Sequence, residues 1–345
     1  FGYEGNNWRR LANMVSYLIT AIWVGCRLPN LDARIFRPDV ILGSSVHLLA
    51  VLAADLLARR FGSRFLMEVR DLWPQTLVDM GALTDHSVVT RVLRALEKHL
   101  YHRAEWIVVL LPGALEYISR LGIKPEKIRW IPNGVDMSRF APAPSPAPVN
   151  NEFTVMYLGA HGRVNALDII MDAAAIVAAK GYTLVRFLFI GDGPEKAGLV
   201  QRRDERGLGN VVFQDPVPKE WVPSVLQRAD ALVAVLQDLP LYKYGISLNK
   251  LYDYMASGKP ILLAGSPLNN AVEESKCGLS VAPDDPEALA HAIIELYEMP
   301  AAQRFVMGQR GRAFVMQKHD YGLLAGRLAE LLEGPDGTGN SSDES

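Results

Sequence analysis

The stretch from residue 65 to residue 74 reads Phe65-Leu66-Met67-Glu68-Val69-Arg70-Asp71-Leu72-Trp73-Pro74. Its apolar start predicts a buried strand, and the Trp-Pro pair after the charged residues predicts the end of that strand. In an open α/β sheet, ligands bind beyond the carboxyl ends of the parallel strands. The sequence therefore predicts that Glu68, Arg70 and Asp71 face a cleft, where ion pairs and hydrogen bonds can position a polar substrate.

Strand and helix patterns alternate on both sides of this stretch. Strands are expected at residues 38–43, 64–69, 106–110, 128–131, 154–158, 186–190, 211–213, 231–236 and 260–263. Helical patterns separate them, and the last helices are expected at 286–299, 301–315 and 321–333. This alternation predicts an α/β fold with parallel, doubly wound sheets.

A chain of 345 residues is too long for one ordinary core, so two domains are expected. The best boundary is the proline-rich segment that begins Ala-Pro-Ala-Pro-Ser-Pro-Ala-Pro at residue 141, because such sequences are semi-extended. We expect an N-terminal domain over 1–140, a linker over 141–151 and a C-terminal domain over 152–333. Residues 334–345 are rich in Gly, Ser and Asp and are expected to be a disordered tail.

The charge is unevenly distributed between the two halves. Residues 1–140 hold 18 Lys and Arg against 13 Asp and Glu, a net of +5, and residues 141–345 carry a net of −7. A basic half indicates an anionic partner. With no nucleic-acid recognition module, we expect an anionic membrane surface or a phosphorylated acceptor, and no nucleic acid. The two cysteines, Cys26 and Cys277, fit a reducing compartment, and no spacing of Cys and His predicts a metal site.

Apolar residues recur at helical spacing over residues 7–26, with Arg9 and Arg10 near the start. One interpretation is an ordinary helix that covers the sheet. The other is a helix that rests on the membrane interface with its arginines on lipid phosphates. No stretch of about 20 apolar residues is present, so no membrane-spanning helix is expected.

Two glycine-rich turns follow strands of the second half. They read Gly159-Ala160-His161-Gly162-Arg163 and Gly191-Asp192-Gly193-Pro194. Glycines allow a backbone to approach a ligand closely, and amides at a helix start together with an arginine can hold a diphosphate. The alternatives are a tight strand-to-helix turn and a flexible loop with a solvated arginine.

A third element reads Tyr244-Gly245-Ile246-Ser247-Leu248-Asn249-Lys250-Leu251-Tyr252-Asp253-Tyr254-Met255-Ala256-Ser257-Gly258-Lys259-Pro260. Ser247 is expected to cap a helix on which Lys250 and Asp253 share one face. A cation near the helix start suits a phosphate, and a carboxylate one turn later suits a ribose diol. The alternative is a surface ion pair.

These elements, together with Ile131-Pro132-Asn133-Gly134-Val135-Asp136, resemble the family 4 retaining glycosyltransferases over nearly the whole chain. The run from Glu68 to Pro74 is similar to the branch that includes N-acetyl-fucosamine transferases of O-antigen and capsule assembly. The resemblance implies two Rossmann-like domains that face each other across a cleft, the GT-B type. It also implies a UDP-sugar on the C-terminal domain, an acceptor on the N-terminal domain, retention of the anomeric configuration and no metal or other cofactor.

The resemblance assigns residues to roles. Implied catalytic residues are Glu68, Arg70, Asp71, Arg163 and Lys250. Implied nucleotide-binding residues are Gly159, Gly162, Gly191, Gly193, Pro216, Val217, Ile246, Ser247, Asn249 and Asp253. His47, which follows a strand end and would face the cleft, and Trp73 are expected acceptor contacts, although a lone histidine at a strand end is more often structural.

The chain departs from the family pattern at several positions. Gly245 replaces the first of two acidic residues that the family often carries eight positions apart, and Asp253 takes the second place. Ala160 and Asn165 stand where many members have Arg and Lys, which leaves Arg163 and Lys250 as substitutes. Family members also begin with a strand and a Gly-rich loop that would precede Phe1, so the N-terminal sheet is expected to be incomplete.

The sequence thus predicts transfer of a sugar, N-acetylated by resemblance, from a UDP-sugar to a polyprenyl-diphosphate-linked or saccharide acceptor in bacterial surface polysaccharide assembly. The expected location is cytoplasmic, on the inner face of the cell membrane. One alternative is a nucleotide-sugar epimerase of the same architecture. Another is a non-catalytic subunit that binds a nucleotide sugar and a partner enzyme.

Overall fold

The computed structural model describes residues 8–31, 38–141 and 152–333, which divide into two compact units. The first unit contains the chain up to Pro132, the short segment Lys243–Ser247 and the chain from Gly326 onward. The second unit contains Asn133–Tyr242 and Leu248–Ala325. Nearly all of the predicted linker and all of the predicted tail lie outside the described residues.

The first unit is built on a four-stranded parallel sheet of order β1-β2-β3-β4. Its strands are β1 (Val40–Ser44), β2 (Arg64–Val69), β3 (Trp106–Val109) and β4 (Ile128–Trp130). Its helices are α1 (Trp8–Leu31), α2 (Leu48–Phe61), α3 (Gln75–Asp79), α4 (Val88–Arg103) and α5 (Ala114–Arg120). Helix α13 (Tyr321–Glu333) begins in the second unit and ends in the first.

The two faces of this sheet are covered differently. Residues Phe65, Met67 and Val69 of β2 belong to the main core, which also contains buried residues of α2, α4 and α5. Leu66 points to the opposite face, because side chains alternate along a strand. There it joins Leu331, so the end of α13 covers that face.

The second unit is built on a six-stranded parallel sheet of order β10-β9-β8-β5-β6-β7. Its strands are β5 (Phe153–Leu158), β6 (Val185–Ile190), β7 (Val211–Gln214), β8 (Ala231–Val235), β9 (Ile261–Ala264) and β10 (Gly278–Val281). Its helices are α6 (Leu167–Ala179), α7 (Lys196–Glu205), α8 (Val222–Leu226), α9 (Asn249–Ala256), α10 (Ala271–Ser275), α11 (Pro286–Glu298) and α12 (Ala301–Lys318).

The strand order of this sheet changes direction at β5. The chain runs outward from β5 through β6 to β7 and then returns to β8 on the other side of β5. Ligands of open α/β sheets bind at such a switch point, outside the carboxyl ends of the strands. The ends of β5 and β8 therefore mark the place to look for a site in this unit.

The start and the end of the second unit are joined by main-chain contacts. Val135 forms a parallel bridge with Asp320, in which the Val135 amide donates a 2.9 Å hydrogen bond to the His319 carbonyl. A Cβ atom on Gly134 would lie 2.2 Å from the same carbonyl oxygen. The Asn-Gly-Val-Asp string therefore has a structural task, because only glycine permits this close approach.

The prediction of an α/β chain with two parallel Rossmann-like sheets is confirmed. The predicted helix over 7–26 is longer than expected and runs from Trp8 to Leu31. Helices α3 and α10 and strand β10 were not predicted, because each is short and has neither a run of apolar residues nor a clear period in its sequence. Across the described ranges, no helix has the length and the apolar character that a bilayer span requires.

Candidate functional site

Lys250 lies in the first turn of α9, and its ammonium group is held among neutral oxygens of the β5 end. Lys250 Nζ donates a 3.0 Å hydrogen bond to Tyr157 Oη and a second bond to Asn165 Oδ1. The ammonium also lies 4.7 Å from the centre of the Tyr157 ring. Burial lowers the pKa of Lys250 to about 8. The group is thus a half-buried cation that forms no hydrogen bond with a carboxylate of the described residues.

A tyrosine on the same helix fixes α9 to the end of β5. Tyr254 is fully buried, and its hydroxyl accepts a 2.7 Å hydrogen bond from the Leu158 amide and donates a 2.9 Å bond to the Leu158 carbonyl. Leu158 is the last residue of β5. Because one side chain satisfies both main-chain groups, the helix start that carries Lys250 stays at the carboxyl end of the strand.

The two glycine turns pack against each other. The His161 amide donates a 2.8 Å hydrogen bond to the Asp192 carbonyl. A Cβ atom on Gly191 would lie 1.9 Å from the Gly159 carbonyl oxygen, and one on Gly193 would lie 2.5 Å from the His161 carbonyl oxygen. The glycines at 191 and 193 are therefore required by the neighbouring turn, whether or not a ligand also lies there.

Arg163 follows the first turn and lines a cavity of about 450 Å³. The cavity is bounded by the starts of α6 and α7 and by the chain after β8; its lining includes Gly162, Asp168, Glu195, Arg202 and Gln237. The Arg163 side chain is exposed at the cavity. The structure therefore places the predicted Arg163 and Gly162 together, while Lys250 bonds to the far end of the same loop at Asn165.

Asp253 lies one turn after Lys250 and is half-buried. Burial raises the pKa of its carboxyl group, and the positive charges of Arg139 and Lys219 act in the opposite direction. No hydrogen bond from the described residues reaches this carboxylate. It can therefore accept hydrogen bonds from a ligand diol, and the alternative of a surface ion pair with Lys250 is not formed.

The prediction that Ser247 caps α9 is wrong. The helix starts at Asn249, and the capping position belongs to Leu248, whose side chain makes no cap. Ser247 and Ile246 group with the first unit, whereas Asn249 and Lys250 group with the second. Ser247 was chosen because it is a polar residue close to the helix start. The sequence shows that a helix begins nearby but does not fix the residue at which it begins.

The other residues predicted to bind nucleotide lie at the edge of the second sheet. Pro216 is exposed and Val217 is half-buried, just after β7. Next to them, Lys196 Nζ lies 2.8 Å from Asp215 Oδ1, so the chain after β7 is tied to α7. Pro216 and Val217 therefore lie just beyond the carboxyl end of β7, which is an edge strand of the sheet.

In the first unit, the charged run after β2 meets the two serines after β1. Ser44 Oγ donates a hydrogen bond to Glu68, and the fully buried Ser45 accepts a 3.0 Å bond from the Arg70 amide. Burial raises the pKa of Asp71, while the Arg70 charge lowers it. The structure thus brings Glu68, Arg70 and Asp71 to the carboxyl ends of two adjacent strands, as a polar site requires.

The two predicted acceptor contacts have structural partners. His47 is the N-cap of α2, where its Nδ1 accepts a 3.0 Å hydrogen bond from the Ala50 amide, and its ring meets Tyr17 edge-on at 5.5 Å. Trp73 is half-buried and packs against the main core. A capping histidine cannot be told from a ligand-binding one in sequence, because both follow a strand end.

Three residues of the site were not found by sequence reasoning. Tyr157 on β5 and Tyr254 on α9 have the sequence pattern of ordinary core aromatic residues, and both are indeed buried. Ala166 has φ +42° and ψ +47°, a left-handed conformation that costs a non-glycine residue free energy, at the position that starts α6. Strained residues concentrate at functional sites, and this one closes the loop that holds Asn165. Within the described ranges, no group of His, Cys, Asp and Glu is arranged to hold a metal ion.

Known proteins resemble this chain in both units. The family model "Glycosyl transferase 4-like domain" matches residues 6–134, and the model "Glycosyl transferases group 1" matches residues 152–299. The probable glycosyltransferase WbjE of Pseudomonas aeruginosa is 26% identical over 280 residues, 78% of this chain and 69% of that protein. WcaI of Escherichia coli, whose name assigns it to colanic acid biosynthesis, is 23% identical over 238 residues, 66% of this chain and 56% of that protein.

A solved structure agrees with the fold. HepE of Anabaena, in complex with UDP and glucose, superposes with a TM-score of 0.69 at 18% identity. The superposition covers 96% of this chain and 84% of HepE. The prediction of a GT-B type fold is thereby confirmed, and the chain is a glycosyltransferase that combines a 4-like domain with a group 1 domain.

Proposed function

We propose that the protein transfers a sugar from a UDP-sugar to a lipid-linked or saccharide acceptor in bacterial surface polysaccharide assembly, with retention of configuration. The donor proposal is supported by HepE, which was solved with UDP, and the pathway proposal by WcaI, which is named for colanic acid biosynthesis. An N-acetylated donor sugar and membership of the N-acetyl-fucosamine transferase branch remain proposals that rest on the run from Glu68 to Pro74.

The half-buried ammonium of Lys250 is the observation that carries the donor site. Burial lowers its pKa, so the charged form costs free energy unless an anion compensates it, and its bonds to the described residues reach only neutral oxygens. It lies at the end of β5, next to the strand-order switch and the glycine turn that starts at Gly159. A diphosphate there would receive the Lys250 charge, amides of the turn and the start of α9, a helix long enough to contribute its dipole.

The same groups would assist bond breaking. When the bond between the sugar and the diphosphate breaks, negative charge grows on the departing phosphate oxygen. Preorganised cations and amides stabilise that charge more in the transition state than in the bound donor. Lys250 would act directly on the diphosphate, Arg163 would act from the cavity side of the loop, and Asp253 would hold the ribose.

The acceptor would bind to the first unit. The cluster of Glu68, Arg70 and Asp71 places a carboxylate of raised pKa next to a guanidinium at the strand ends. Such a pair can orient a sugar hydroxyl and hold its proton as the new bond forms. Because the acceptor hydroxyl would approach on the face that the diphosphate leaves, the anomeric configuration would be retained.

Helix α1 supports a peripheral position at a membrane. Ile19 and Trp23 are one turn apart and are 61% and 54% exposed, and the Arg27 guanidinium lies 3.8 Å from the Trp23 ring. Apolar and aromatic side chains next to a cation are typical of helices that lie at an anionic interface. Arg9 and Arg10 belong to α1, but their side chains lie outside the described residues.

Calorimetry with UDP and a panel of UDP-sugars tests the donor site. We expect binding at micromolar to millimolar concentration and a rise in melting temperature, because a ligand that binds only the folded state stabilises it. Lys250→Gln should weaken UDP binding roughly tenfold or more. Lys180→Gln, which changes an exposed lysine of the same unit, should leave it unchanged.

Turnover tests the reaction. A transferase releases free UDP only when an acceptor is present, whereas an epimerase interconverts the sugar with the UDP still attached. Absence of UDP binding by the unaltered chain at millimolar concentration would refute the donor proposal. Sugar interconversion without acceptor would favour the epimerase.

A further inference from the structure

Lys250 and three polar groups around it, the Tyr157 hydroxyl, the Asn165 amide and the Ala160 carbonyl, form one closed set. The Ala160 carbonyl oxygen accepts a 2.8 Å hydrogen bond from Tyr157 Oη and a 2.9 Å bond from Asn165 Nδ2. Tyr157 Oη also accepts a hydrogen bond from Lys250, and Asn165 accepts the second bond of Lys250 with its other polar atom, Oδ1. Each side chain is therefore bonded both to the loop and to the ammonium, Tyr157 through its single hydroxyl and Asn165 through the two atoms of its amide.

An ammonium group has three N–H donors. Two donors of Lys250 are used by Tyr157 and Asn165, and no acceptor from the described residues takes the third. Both acceptors are neutral, so the ammonium keeps its full positive charge. A carboxylate at either place would satisfy the same bonds but would cancel that charge and would repel an anionic ligand.

The other charged groups near this set, among the residues that the structure describes, form no ion pair with Lys250. Asp253, on the same helix, is influenced by Arg139 and Lys219. The ring of His161 is fully buried next to Tyr157, and the pKa of His161 is lowered by burial first and then by the charges of Lys196 and Lys250. The charge of Asp192 opposes this shift of the His161 pKa. The lowered pKa favours the neutral form of His161, so this ring adds no second cation beside Lys250.

We propose that Tyr157 and Asn165 are positioning residues, which orient the Lys250 ammonium toward the diphosphate of a nucleotide while leaving its charge uncompensated. This inference rests on the proposed function, because it assigns the ligand of Lys250 to the donor. The aromatic face of Tyr157 contributes as well, since a cation is attracted to the ring without being neutralised.

The arrangement has a measurable signature in the pH dependence of UDP binding. Burial lowers the pKa of Lys250 to about 8, and a bound diphosphate would raise it, since an anion favours the charged form. Binding would then take up a proton above about pH 8, and affinity would fall by up to about tenfold for each further pH unit. Phosphate oxygens are already ionised in that range, because their second pKa is about 6.

The pH at which affinity begins to fall is the midpoint of the pH dependence of UDP binding. Two substitutions should move this midpoint in opposite directions. Tyr157→Phe keeps the ring and its packing but removes one acceptor, so Lys250 should lose its proton at lower pH and UDP should bind roughly tenfold more weakly. Asn165→Asp adds a carboxylate beside the ammonium, so the midpoint should rise while affinity near neutral pH falls. A residue that is merely structural would change affinity equally at every pH.

The test is titration calorimetry of the full chain with UDP from about pH 6.5 to 10, in pairs of buffers that differ in ionisation enthalpy. We expect proton uptake and an alkaline loss of affinity in the unaltered chain, a lower midpoint for Tyr157→Phe and a higher one for Asn165→Asp. Lys250→Gln should bind weakly and without this pH dependence. UDP binding with the same pH midpoint in the unaltered chain, Tyr157→Phe and Asn165→Asp would overturn the inference and leave the proposed function standing. Absence of UDP binding by the unaltered chain would overturn both.

Discussion

Glu97 and Tyr101 lie one turn apart on α4, and the Tyr101 hydroxyl donates a 3.0 Å hydrogen bond to the buried Glu97 carboxyl group. Tyr117 of α5 donates to the other carboxyl oxygen at 3.2 Å. Burial raises the pKa of Glu97 from 4.5 to about 8, although the two tyrosines and the Arg94 charge oppose the shift. The first unit therefore keeps a protonated carboxyl group in its core at neutral pH.

This group should make the protein less stable as pH rises. Between pH 4.5 and about 8 the folded chain retains the Glu97 proton while the unfolded chain has lost it, so unfolding releases a proton and the free energy of unfolding falls. Its contribution approaches about 1.4 kcal/mol per pH unit within that window. Glu97→Gln can still form hydrogen bonds with both tyrosines. In this variant the melting temperature should depend less on pH over this range. Glu116→Gln changes an exposed glutamate and serves as control. Equal slopes in Glu97→Gln and the unaltered chain would contradict the prediction.

Gly191→Ala should damage the second unit. The new Cβ would lie 1.9 Å from the Gly159 carbonyl oxygen, and the backbone at 191 has φ +150°. Either the turn or the strand end must move, at a cost of about 2–4 kcal/mol. Gly198→Ala is the matched control, because its Cβ meets nothing within 4 Å and alanine favours α7. Chemical denaturation should show loss of stability in the first variant and a gain of up to about 1 kcal/mol in the second.

Asp253→Asn should weaken UDP and UDP-sugar to a similar degree. Bonds to the ribose exist in both the bound donor and the transition state, so KM should rise more than kcat falls. Hydrogen bonds to a charged group contribute about 1.5–3 kcal/mol, which corresponds to roughly tenfold or more in affinity. Asp204→Asn alters an exposed aspartate of α7 and is the control. An unchanged UDP dissociation constant in Asp253→Asn would remove Asp253 from the site.

The double variant Ile19→Ser with Trp23→Ser should release the chain from anionic vesicles. Both side chains are more than half exposed on α1, and they would enter the interface next to Arg27. Sedimentation at low and high salt should show binding to anionic vesicles that salt weakens, because the electrostatic part is screened. Val306→Ser, an exposed apolar position on α12, should sediment like the unaltered chain. Equal sedimentation with neutral and anionic vesicles would refute the preference for an anionic surface, and no more sedimentation with vesicles than without them would refute a membrane role.

Long periodic segments were the most predictable part of the chain. Strand β2 and helices α4 and α13 have the bounds that their sequence patterns predict, because each shows a clear period and a clear stop. Strand β10 was missed, since it has only four residues and starts at Gly278. That glycine is required because its Cβ would lie 1.7 Å from the Ile261 carbonyl oxygen, a relation between strands that local sequence does not contain.

The site was predictable only in part, because local sequence does not contain the contacts between residues that are far apart in the chain. Lys250 could be assigned to a helix start from its neighbours, but its partners Tyr157 and Asn165 are 93 and 85 residues away. Tyr157 has the pattern of any core residue of a buried strand, and only the structure shows that its hydroxyl reaches the lysine. His47 shows the opposite case, in which a polar residue at a strand end has a capping role.

The bridge between Val135 and Asp320 has a consequence for how the protein is made. Synthesis proceeds from the N-terminus, and domains fold as units when their chain has emerged from the ribosome. The second unit lacks its closing contact until residue 320 has emerged, and the first lacks the cover that Leu331 provides until α13 is complete. Both units therefore finish folding only after α13 has emerged, and a nascent chain stalled before α13 should expose the apolar face around Leu66 to chaperones.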